Sequence, residues 1–372
     1  MTRRIVLSPV RRGRPGRGDR GRAMIHEYKT LTQFLIDQRR AQSCTTTGDL
    51  NSLVLAVATA CKLISKRIAQ GRLGVVPDQP PQSLDEEALE IFSTSVSRTG
   101  LTCGLLSDKS NGPICPPRFI PRGHYALICD QLDGARNIDL NGTVGSIFSI
   151  LRTSGDQSAC ETDFLVPGST QVVAGYAIYG PSTMLVLTLG HGTHGFTLDP
   201  LTGEWLQTHP QIRIPEQTTD FHINSSYARF WESPVKRYVD ECLRGSSGDR
   251  GKDFNMRWVA SLVADCHRIL MRGGVFLSPR LIRTDLRHGK LLLLPEVDPV
   301  AFVVQQAGGR VTTGVASPLD TVPTDLYQHS PFIFGSAKEV SRIEDYHTDE
   351  TSHRTYTSPL FAERGLFDDR GE

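Results

Sequence analysis

Residues 130–139 read DQLDGARNID and follow a short apolar run, YALIC, which is typical of a buried strand. Asp130 and Asp133 lie three residues apart where this strand is expected to end, and Gly134 follows at once. A strand end that turns on a glycine can direct two carboxylates and the carbonyl of Leu132 to one point. Hard oxygen ligands of this kind suit Mg²⁺. An ordinary acidic turn has the same composition, however, because Asp and Gly are among the commonest turn residues.

Length and composition are those of a soluble globular protein. The 372 residues are 22% charged and 38% hydrophobic, which is sufficient for a large core. No apolar run approaches membrane-spanning length and no secretory signal is evident, so we expect no membrane partner and a cytoplasmic location. The eight cysteines are scattered without a Cys-x-x-Cys pair, which argues against a zinc or redox site and favours reduced thiols.

The first 23 residues differ in charge from the rest of the chain. They hold eight arginines and one acid, Asp19, so they contribute +7 to a formal net charge of +1 and leave −6 on the remainder. Basic arms can contact nucleic acid or act as targeting peptides. The arm lacks helical periodicity, which favours a disordered arm or an assigned start upstream of a true first residue at Met24. The acidic remainder argues against nucleic acid as a partner.

Apolar periodicity in the first half of the chain predicts helices followed by strands. A helix is expected to begin within Leu31 to Ile36. Residues 46–49 are expected to form a loop and an N-cap, after which apolar positions from Leu50 to Ile68 recur at helical spacing until Gly71. From Gln171 to Leu198, three short strands alternate with glycine-containing turns, which is typical of an antiparallel meander.

The second half alternates helix and strand again. Val259 to Leu270 has one apolar face at helical spacing. Leu291 to Leu294 is predicted as an apolar strand that delivers Glu296, and Asp298-Pro299 as the cap of the last clear helix. Strands that alternate with long helices predict a layered α/β architecture. The expected divisions are a basic arm at 1–23, an N-terminal lobe at 24–200 and a C-terminal lobe at 201–372.

The 130–139 stretch resembles the Asp-Pro-x-Asp-Gly-Ser-Ser-Asn-Ile-Asp signature of class 1 fructose-1,6-bisphosphatases of the bacterial type, within the metal-dependent sugar and inositol phosphatases. Further stretches resemble the same family in the same order, so the resemblance extends from about Leu31 to the C-terminus. They are LGHGTHGFTLDP (189–200), THPQIRIPE (208–216), INSSYARFW (223–231), FNMRWVASLVADCHRILMRGG (254–274), PEVDPVAF (295–302), AGG (307–309) and SPLFAERGLF (358–367).

This resemblance implies a fold, a reaction and an assembly. The fold is the α/β (α+β) layered sandwich of the sugar phosphatases, with helix and sheet layers in alternation, usually assembled as a homotetramer. The reaction is Mg²⁺-dependent hydrolysis of the 1-phosphate of fructose 1,6-bisphosphate, in gluconeogenesis or in the Calvin cycle. Sedoheptulose 1,7-bisphosphate is a second candidate substrate in a carbon-fixation setting.

The resemblance also implies roles for individual residues. The implied metal ligands are Asp130, the Leu132 carbonyl, Asp133 and Glu296, with Asp108 as a further candidate. The catalytic candidates are Asp85, which matches an Asp that helps to activate the attacking water, and Asp108. The implied sugar and phosphate contacts are Gly134, Arg136, Asn137, Asn224, Tyr227, Lys290 and, from a neighbouring subunit, Arg257. The residues that match the AMP site of the family are Thr47, Gly48, Asp49, His124, Tyr125 and Arg152.

Several positions near the implied metals depart from the family pattern. Gln131 replaces a proline, and Ala135-Arg136 replaces a Ser-Ser pair that helps to bind the 1-phosphate. Asp108-Lys109 replaces Glu-Glu, both of which serve the metals in the family. Arg136 can donate two hydrogen bonds to a phosphate, and the Lys109 ammonium can stand where one Mg²⁺ would otherwise lie. We therefore expect fewer bound metal ions than is usual for the family.

Other departures concern the sugar and nucleotide sites. Trp258 and Ser278 replace two tyrosines whose hydroxyls touch the 6-phosphate in the family. His124 replaces a lysine at the AMP site, and an imidazole is mostly neutral near pH 7. The N–H groups at a helix start can hold a phosphate, but a helix cap without a ligand explains the same residues near Thr47. We expect weak inhibition by AMP.

Two functions remain open at this point. The first is an active Mg²⁺-dependent fructose-1,6-bisphosphatase. The second is a degenerate paralogue that binds sugar phosphate, or pairs with an active subunit, and regulates rather than catalyses. Lys109 and the Ala135-Arg136 pair support the second function. The retained acids, Asp85, Asp130 and Glu296 among them, support the first, because a pseudoenzyme is expected to lose ligands more evenly.

Overall fold

The fold was obtained as a computed structural model that describes residues 28–41, 47–71, 83–154, 160–282 and 284–349. The basic arm at 1–23 and the matching tail at 358–367 lie outside the described residues. Among the described residues, no helix has both the length and the apolar character needed to cross a membrane.

Among the described residues, three helices precede the first strand. They are α1 (Leu31–Ala41), α2 (Gly48–Gln70) and α3 (Leu84–Ser97). Thr47 is the N-cap of α2, and its hydroxyl accepts a hydrogen bond from the Leu50 N–H at 3.1 Å. The loop expected at 46–49 therefore ends at Thr47, and Gly48 and Asp49 already belong to the helix. Gly71, at φ +52°, follows the last residue of α2 as predicted.

The next seven strands form one sheet in which neighbours in sequence are neighbours in space. The first pair is parallel and all other pairs are antiparallel, which confirms the predicted meander. The strands are β1 (Thr102–Ser107), β2 (Tyr125–Asp133), β3 (Val144–Arg152), β4 (Val173–Tyr179), β5 (Thr183–Thr188), β6 (Thr193–Leu198) and β7 (Trp205–Ile212). Every residue of β2 and β4 is buried, so both faces of this sheet are covered.

The remaining elements build a second sheet and its helices. The strands are β8 (Asp220–Ile223), β9 (Asn255–Arg257), β10 (Val275–Ser278), β11 (Leu291–Leu292), β12 (Arg310–Thr312), β13 (His329–Ser330) and β14 (Phe332–Gly335). Five of them form the sheet in the order β12-β14-β10-β8-β9, and β11 pairs with β13 in a separate ribbon. The helices are α4 (Ser233–Arg244), α5 (Leu262–Arg272), α6 (Asp298–Gln306) and α7 (Ala337–Thr348).

The apolar clusters show how the layers stack. Residues of α1, α2 and α3 pack on one face of the seven-stranded sheet. Residues of α5 and α6 pack between its other face and the five-stranded sheet, as in the cluster of Tyr176, Val263 and Phe334. Residues of α4 and α7 cover the outer face of the five-stranded sheet. The expected layered fold, with helix and sheet layers in alternation, is confirmed.

Two expectations about the second half were wrong. The strand predicted for Leu291 to Leu294 ends at Leu292, and residues 293–297 form a π-helical turn that carries Glu296. The helix that begins at Asp298 is also not the last one, because α7 follows it. Only two aliphatic residues of α7, Val340 and Ile343, are buried, so its apolar periodicity is weak in the sequence.

A candidate metal and sugar-phosphate site

A β-bulge near the end of β2 brings two carboxylates together. Asp130 pairs with Ile147 and Asp133 pairs with Gly145, so three steps along β2 face two steps along β3. Side chains three residues apart on a regular strand point to opposite faces, and one extra residue corrects this. Asp130, Asp133 and Glu296, which comes from the π-helical turn, each offer an oxygen within 4.8 Å of the others.

Burial and crowding make this carboxylate cluster electrostatically costly. Burial raises the pKa of Asp130 well above its usual range, and the charges of Asp108, Asp133 and Glu296 raise it further. Burial also raises the pKa of Glu296 to about 8, although a hydrogen bond from the Leu292 N–H opposes the shift. A divalent cation would remove this cost, because it replaces mutual repulsion with attraction. The donor set therefore fits a hard metal ion that prefers oxygen ligands.

Asp133 ties the cluster to the start of α5. Its Oδ2 accepts hydrogen bonds from the Ser261 hydroxyl at 2.6 Å and the Val263 N–H at 2.8 Å, and its Oδ1 accepts one from the Leu262 N–H at 3.1 Å. A carboxylate is stabilised there by the free N–H groups of the helix. Gly134 has φ +74°, and a Cβ on it would lie 2.8 Å from the Ser261 Cβ, so the close approach requires glycine.

Sequence reasoning missed Ser261, although a signal for it was present. Its hydroxyl accepts a hydrogen bond from the Ala264 N–H at 3.2 Å, so Ser261 is the N-cap of α5. A serine directly before the apolar run of a helix is a common N-cap pattern. Its second partner, Asp133, lies 128 residues away, and nothing in the sequence indicates that contact.

The turn after β1 adds one more acid and a cation to the cluster. The Lys109 Nζ lies 2.9 Å from the Asp108 Oδ2. The hydrogen bond to Asp108 raises the pKa of Lys109, and the charges of Asp85 and Asp130 raise it further. Burial raises the pKa of Asp108, against the hydrogen bond from Lys109. A permanent positive charge therefore stands beside the carboxylates.

The other two residues that the family resemblance implies at the metal centre, Asp85 and Leu132, lie next to the carboxylate cluster. Asp85 is in the first turn of α3, and its Oδ1 accepts a hydrogen bond from the Gln131 Nε2 at 2.7 Å. The Leu132 N–H donates to the Asp130 Oδ1 at 3.0 Å. This bond fixes the direction of the Asp130 carboxylate within the bulge.

A cavity of about 230 Å³ opens beside the cluster and shares Asp133 with it. Asn224, Tyr227 and Lys290 line this cavity, as do Trp258 and Ser278. The Lys290 Nζ lies 3.2 Å from the centre of the Tyr227 ring, which places a cation on an aromatic face. The cavity thus has acids at one end and a cation and polar side chains elsewhere, as a phosphorylated sugar requires.

Four of the implied substrate contacts, namely Gly134 and the three residues below, are not among the described residues that line this cavity. Arg257 lies on the exposed edge strand β9, where its Nε is 3.7 Å from the Asp220 Oδ2. Arg136 is exposed in the short 3₁₀ turn that follows Gly134. The Asn137 Nδ2 donates to the Val259 carbonyl at 3.3 Å, which holds this turn against the segment before α5.

The residues matched to the AMP site lie at the other end of β2. The Thr47 hydroxyl is 2.8 Å from the Tyr125 hydroxyl, and Arg152 lies opposite Tyr125 in the pairing of β2 with β3. The His124 Nδ1 is 2.8 Å from the Ser154 carbonyl, so that nitrogen carries the proton and donates. A Cβ on Gly48 would lie 3.3 Å from the guanidinium of Arg39, a cation at this helix start that sequence reasoning missed.

Comparison with known proteins covers almost the whole described chain. Family models of the N-terminal and C-terminal domains of fructose-1,6-bisphosphatase match residues 29–210 and 214–348. A class 1 fructose-1,6-bisphosphatase of Methylibium petroleiphilum is 51% identical, over 92% of this chain and 98% of that protein. A class 1 fructose-1,6-bisphosphatase of Hydrogenophilus thermoluteolus is also 51% identical, over 91% of this chain and 97% of that protein. The crystal structure of the Leishmania major fructose-1,6-bisphosphatase in holo form is 33% identical, with a TM-score of 0.77 over 87% of this chain and 99% of that one.

Proposed function

The chain belongs to the fructose-1,6-bisphosphatase family of phosphatases, and we propose that it hydrolyses the 1-phosphate of D-fructose 1,6-bisphosphate to give fructose 6-phosphate and phosphate. The observation that carries this proposal is the position of the carboxylate cluster, which shares Asp133 with the cavity lined by Asn224, Tyr227 and Lys290. A bisphosphate in this cavity can place one phosphate at the cluster and hold its sugar and second phosphate further in.

The family is metal-dependent, and we propose Mg²⁺ as the metal. Asp130, Asp133 and Glu296 would hold it together with the Leu132 carbonyl, and Asp108 would be a further ligand. When bound, Mg²⁺ would neutralise phosphoryl charge and make a water molecule more acidic. Mg²⁺ keeps several water ligands, which suits a site with few protein carboxylates.

The remaining residues would bind the substrate and handle the proton. Lys290, Asn224 and Tyr227 would hold the sugar and its 6-phosphate inside the cavity. Arg136, Asn137 and the Gly134 backbone would contact the 1-phosphate, and the guanidinium of Arg136 can donate two hydrogen bonds to it. The Asp85 carboxylate would accept a proton from the attacking water in line with the leaving oxygen.

One observation supports a second candidate function. The ion pair of Lys109 with Asp108 places an ammonium in the acid cluster, where it repels a second metal ion. A paralogue weakened in this way would bind sugar phosphate and act as a regulatory subunit. Binding of fructose 1,6-bisphosphate without phosphate release, together with a change in the activity of an active family member, would favour this candidate.

Further proposals concern setting and assembly. We propose a cytoplasmic homotetramer in which Arg257 completes the cavity of a neighbouring subunit. The pathway would be gluconeogenesis or the Calvin cycle, and in the latter sedoheptulose 1,7-bisphosphate would be a second substrate. These proposals rest on the family resemblance together with the exposed position of Arg257 on an edge strand.

Phosphate release from fructose 1,6-bisphosphate by the purified protein, with and without Mg²⁺, tests the main proposal. We expect Mg²⁺-dependent release that the Asp133→Asn variant loses. Asp199→Asn is a matched control, because Asp199 lies in the turn between β6 and β7 and its carboxylate bonds only local groups there. Equal release by the wild type with and without Mg²⁺, or release by Asp133→Asn at the wild-type rate, would contradict the proposal.

A further inference from the structure

We propose that Gln131 is a positioning residue that holds one oxygen of the Asp85 carboxylate and so leaves the other facing the phosphate site. This inference rests on the proposed function, because it assigns a task within that reaction. Gln131 lies in the bulge of β2 between Asp130 and Leu132, and its side chain is completely buried.

The Gln131 amide joins two elements that are distant in sequence. Its Nε2 donates to the Asp85 Oδ1 at 2.7 Å, and its Oε1 accepts from the Ser107 hydroxyl at 2.6 Å. Asp85 comes from the first turn of α3 and Ser107 from the end of β1. A carboxylate only accepts, so the NH₂ group must face Asp85 and the amide orientation is determined.

The other groups around the amide reinforce this orientation. The Ser107 hydroxyl has two acceptors, the Gln131 Oε1 at 2.6 Å and the Asp108 Oδ1 at 3.3 Å, and the shorter distance favours donation to Gln131. The Ser107 oxygen itself accepts a hydrogen bond from the Lys109 N–H at 3.0 Å. The Gln131 carbonyl accepts from the Ser146 hydroxyl at 2.7 Å, and that hydroxyl lies 2.8 Å from the Tyr179 hydroxyl. Both the backbone and the amide of Gln131 are therefore held in place.

The fixed Gln131 amide restricts the rotation of the Asp85 carboxylate about its terminal bond. The terminal torsion of an aspartate is broad, and Asp85 is only partly buried. A strong hydrogen bond to Oδ1 selects one orientation and leaves Oδ2 free to accept a proton from water.

Steady-state kinetics of the Gln131→Met variant test this inference, because methionine has nearly the same size but cannot donate. We expect kcat to fall roughly 10- to 100-fold, the size of a lost hydrogen bond to a charged group, with KM within about twofold of wild type. Asn51→Leu is the matched control. Asn51→Leu removes a buried amide whose Nδ2 donates to the Leu35 carbonyl at 3.2 Å and so joins α2 to α1. This variant should therefore be less stable than the wild type but have the same kcat.

Combining Gln131→Met with a substitution of Asp85 distinguishes positioning of the Asp85 carboxylate from a general structural effect of the Gln131 change. In an Asp85→Asn background, measured by single-turnover assays, adding Gln131→Met should change the rate by less than about twofold, because the group being positioned is gone. Equal losses in both backgrounds would overturn the inference, as would a Gln131→Met variant with wild-type kcat or an Asp85→Asn variant with full activity. If Gln131→Met does not fold, Gln131→Leu also removes the donor without adding a charge, and the same expectations apply.

These outcomes are distinct from a failure of the proposed function. No Mg²⁺-dependent phosphate release by the wild type would overturn the function itself. Release by the wild type, loss in Asp85→Asn and no change in Gln131→Met would overturn only the role of Gln131.

Discussion

Asp133 combines a folding role with a proposed catalytic one, since its two oxygens receive three hydrogen bonds from Ser261, Leu262 and Val263. In Asp133→Asn, the amide NH₂ would face N–H donors, so the variant should lose about 1–3 kcal/mol of unfolding free energy as well as turnover. Chemical denaturation in EDTA at pH 5 measures the first loss without any contribution from metal, because the raised pKa of Glu296 keeps its carboxyl neutral there and reduces charge repulsion in the cluster. An Asp133→Asn protein as stable as Asp199→Asn would show that the three hydrogen bonds do not stabilise the start of α5.

The raised pKa values predict how the metal-free protein responds to pH. Burial raises the pKa of Glu296 from 4.5 to about 8, so between these values the folded state binds a proton that the unfolded state has released. The contribution of Glu296 to the free energy of unfolding should therefore be greatest below about pH 4.5 and fall as the pH rises to about 8. Asp130 acts in the same direction.

Thermal unfolding from pH 5 to pH 8, in EDTA and in Mg²⁺, measures this dependence. We expect the titration of Glu296 to lower the melting temperature in EDTA as the pH rises, whereas the buried His267, whose pKa is lowered to about 4, acts in the opposite direction below about pH 6.5. We expect Mg²⁺ to stabilise the protein more at pH 8 than at pH 5. Glu296→Gln should flatten the slope in EDTA. A slope in EDTA that is unchanged by Glu296→Gln would show that Glu296 does not titrate in this range.

Residues of the site differ in how far the sequence could predict them. The Asp130 and Asp133 pair was visible, because two carboxylates and a glycine at the end of an apolar run form a local pattern. Gln131 was visible only as a departure from a motif. Its proposed role depends on contacts with Asp85 and Ser107, which lie 46 and 24 residues away in the sequence. Contacts between such distant residues produce no recognisable sequence pattern.

Among the elements, the turn after β1 has the most direct consequence for metal binding. A positive unit charge about 4 Å from a divalent cation is repelled by roughly a few kcal/mol at moderate effective dielectric. Solvent reduces this repulsion, because Lys109 is more than half exposed. We therefore expect Lys109→Glu to bind more Mg²⁺ ions per subunit than wild type and to turn over faster. Calorimetric titration of Mg²⁺ with a substrate analogue, beside a turnover assay, measures both.

Lys338→Glu provides the control for this change. Lys338 is similarly exposed and pairs with Glu216 outside the acid cluster, so the same charge reversal there should leave the metal stoichiometry unchanged. An equal stoichiometry in wild type and Lys109→Glu would mean that the Lys109 ammonium does not exclude a metal ion.

The start of α2 carries the prediction about AMP. Thr47 is already bonded to the Leu50 N–H and to Tyr125, and the His124 ring donates to the Ser154 carbonyl. We expect half-inhibition only well above low micromolar AMP, because His124 adds no permanent charge. His124→Lys should strengthen inhibition, whereas Arg152→Ala should weaken what remains. Inhibition of the wild type at low micromolar AMP would contradict this reasoning.

The elements themselves were predicted best where their apolar pattern was long. The helix from Gly48 follows a clear period of about 3.6, and the strands of the meander from Val173 are short apolar runs separated by glycine-containing turns. The π-helical turn around Glu296 was missed because four successive leucines also fit a short buried strand. Its geometry depends on tertiary contacts, such as the hydrogen bond from the Leu293 N–H to the Gln328 carbonyl at 2.7 Å.

At the scale of the whole molecule, the strand order determines which strands lie at the edges of the five-stranded sheet. The five-stranded sheet ends in β9 on one side and β12 on the other. All three residues of β9 are exposed, and the apolar side chains of Met256, Trp258 and Val259 are exposed beside Arg257. Exposed apolar side chains next to a cation are typical of a protein–protein contact. We therefore expect this edge to be covered in a homo-oligomer.

Arg257→Ala tests the role of this edge in catalysis. If Arg257 binds the phosphate of a substrate in the neighbouring subunit, its loss should raise KM about 10-fold or more and change kcat less, because the contact is equally strong in substrate and transition state. Arg310→Ala is the matched control, since Arg310 lies on the opposite edge strand, where it pairs with Glu344. Light scattering of wild type and both variants would establish the assembly state. A wild type that is monomeric and fully active, or an Arg257→Ala variant with the KM of Arg310→Ala, would show that each cavity is complete within one chain.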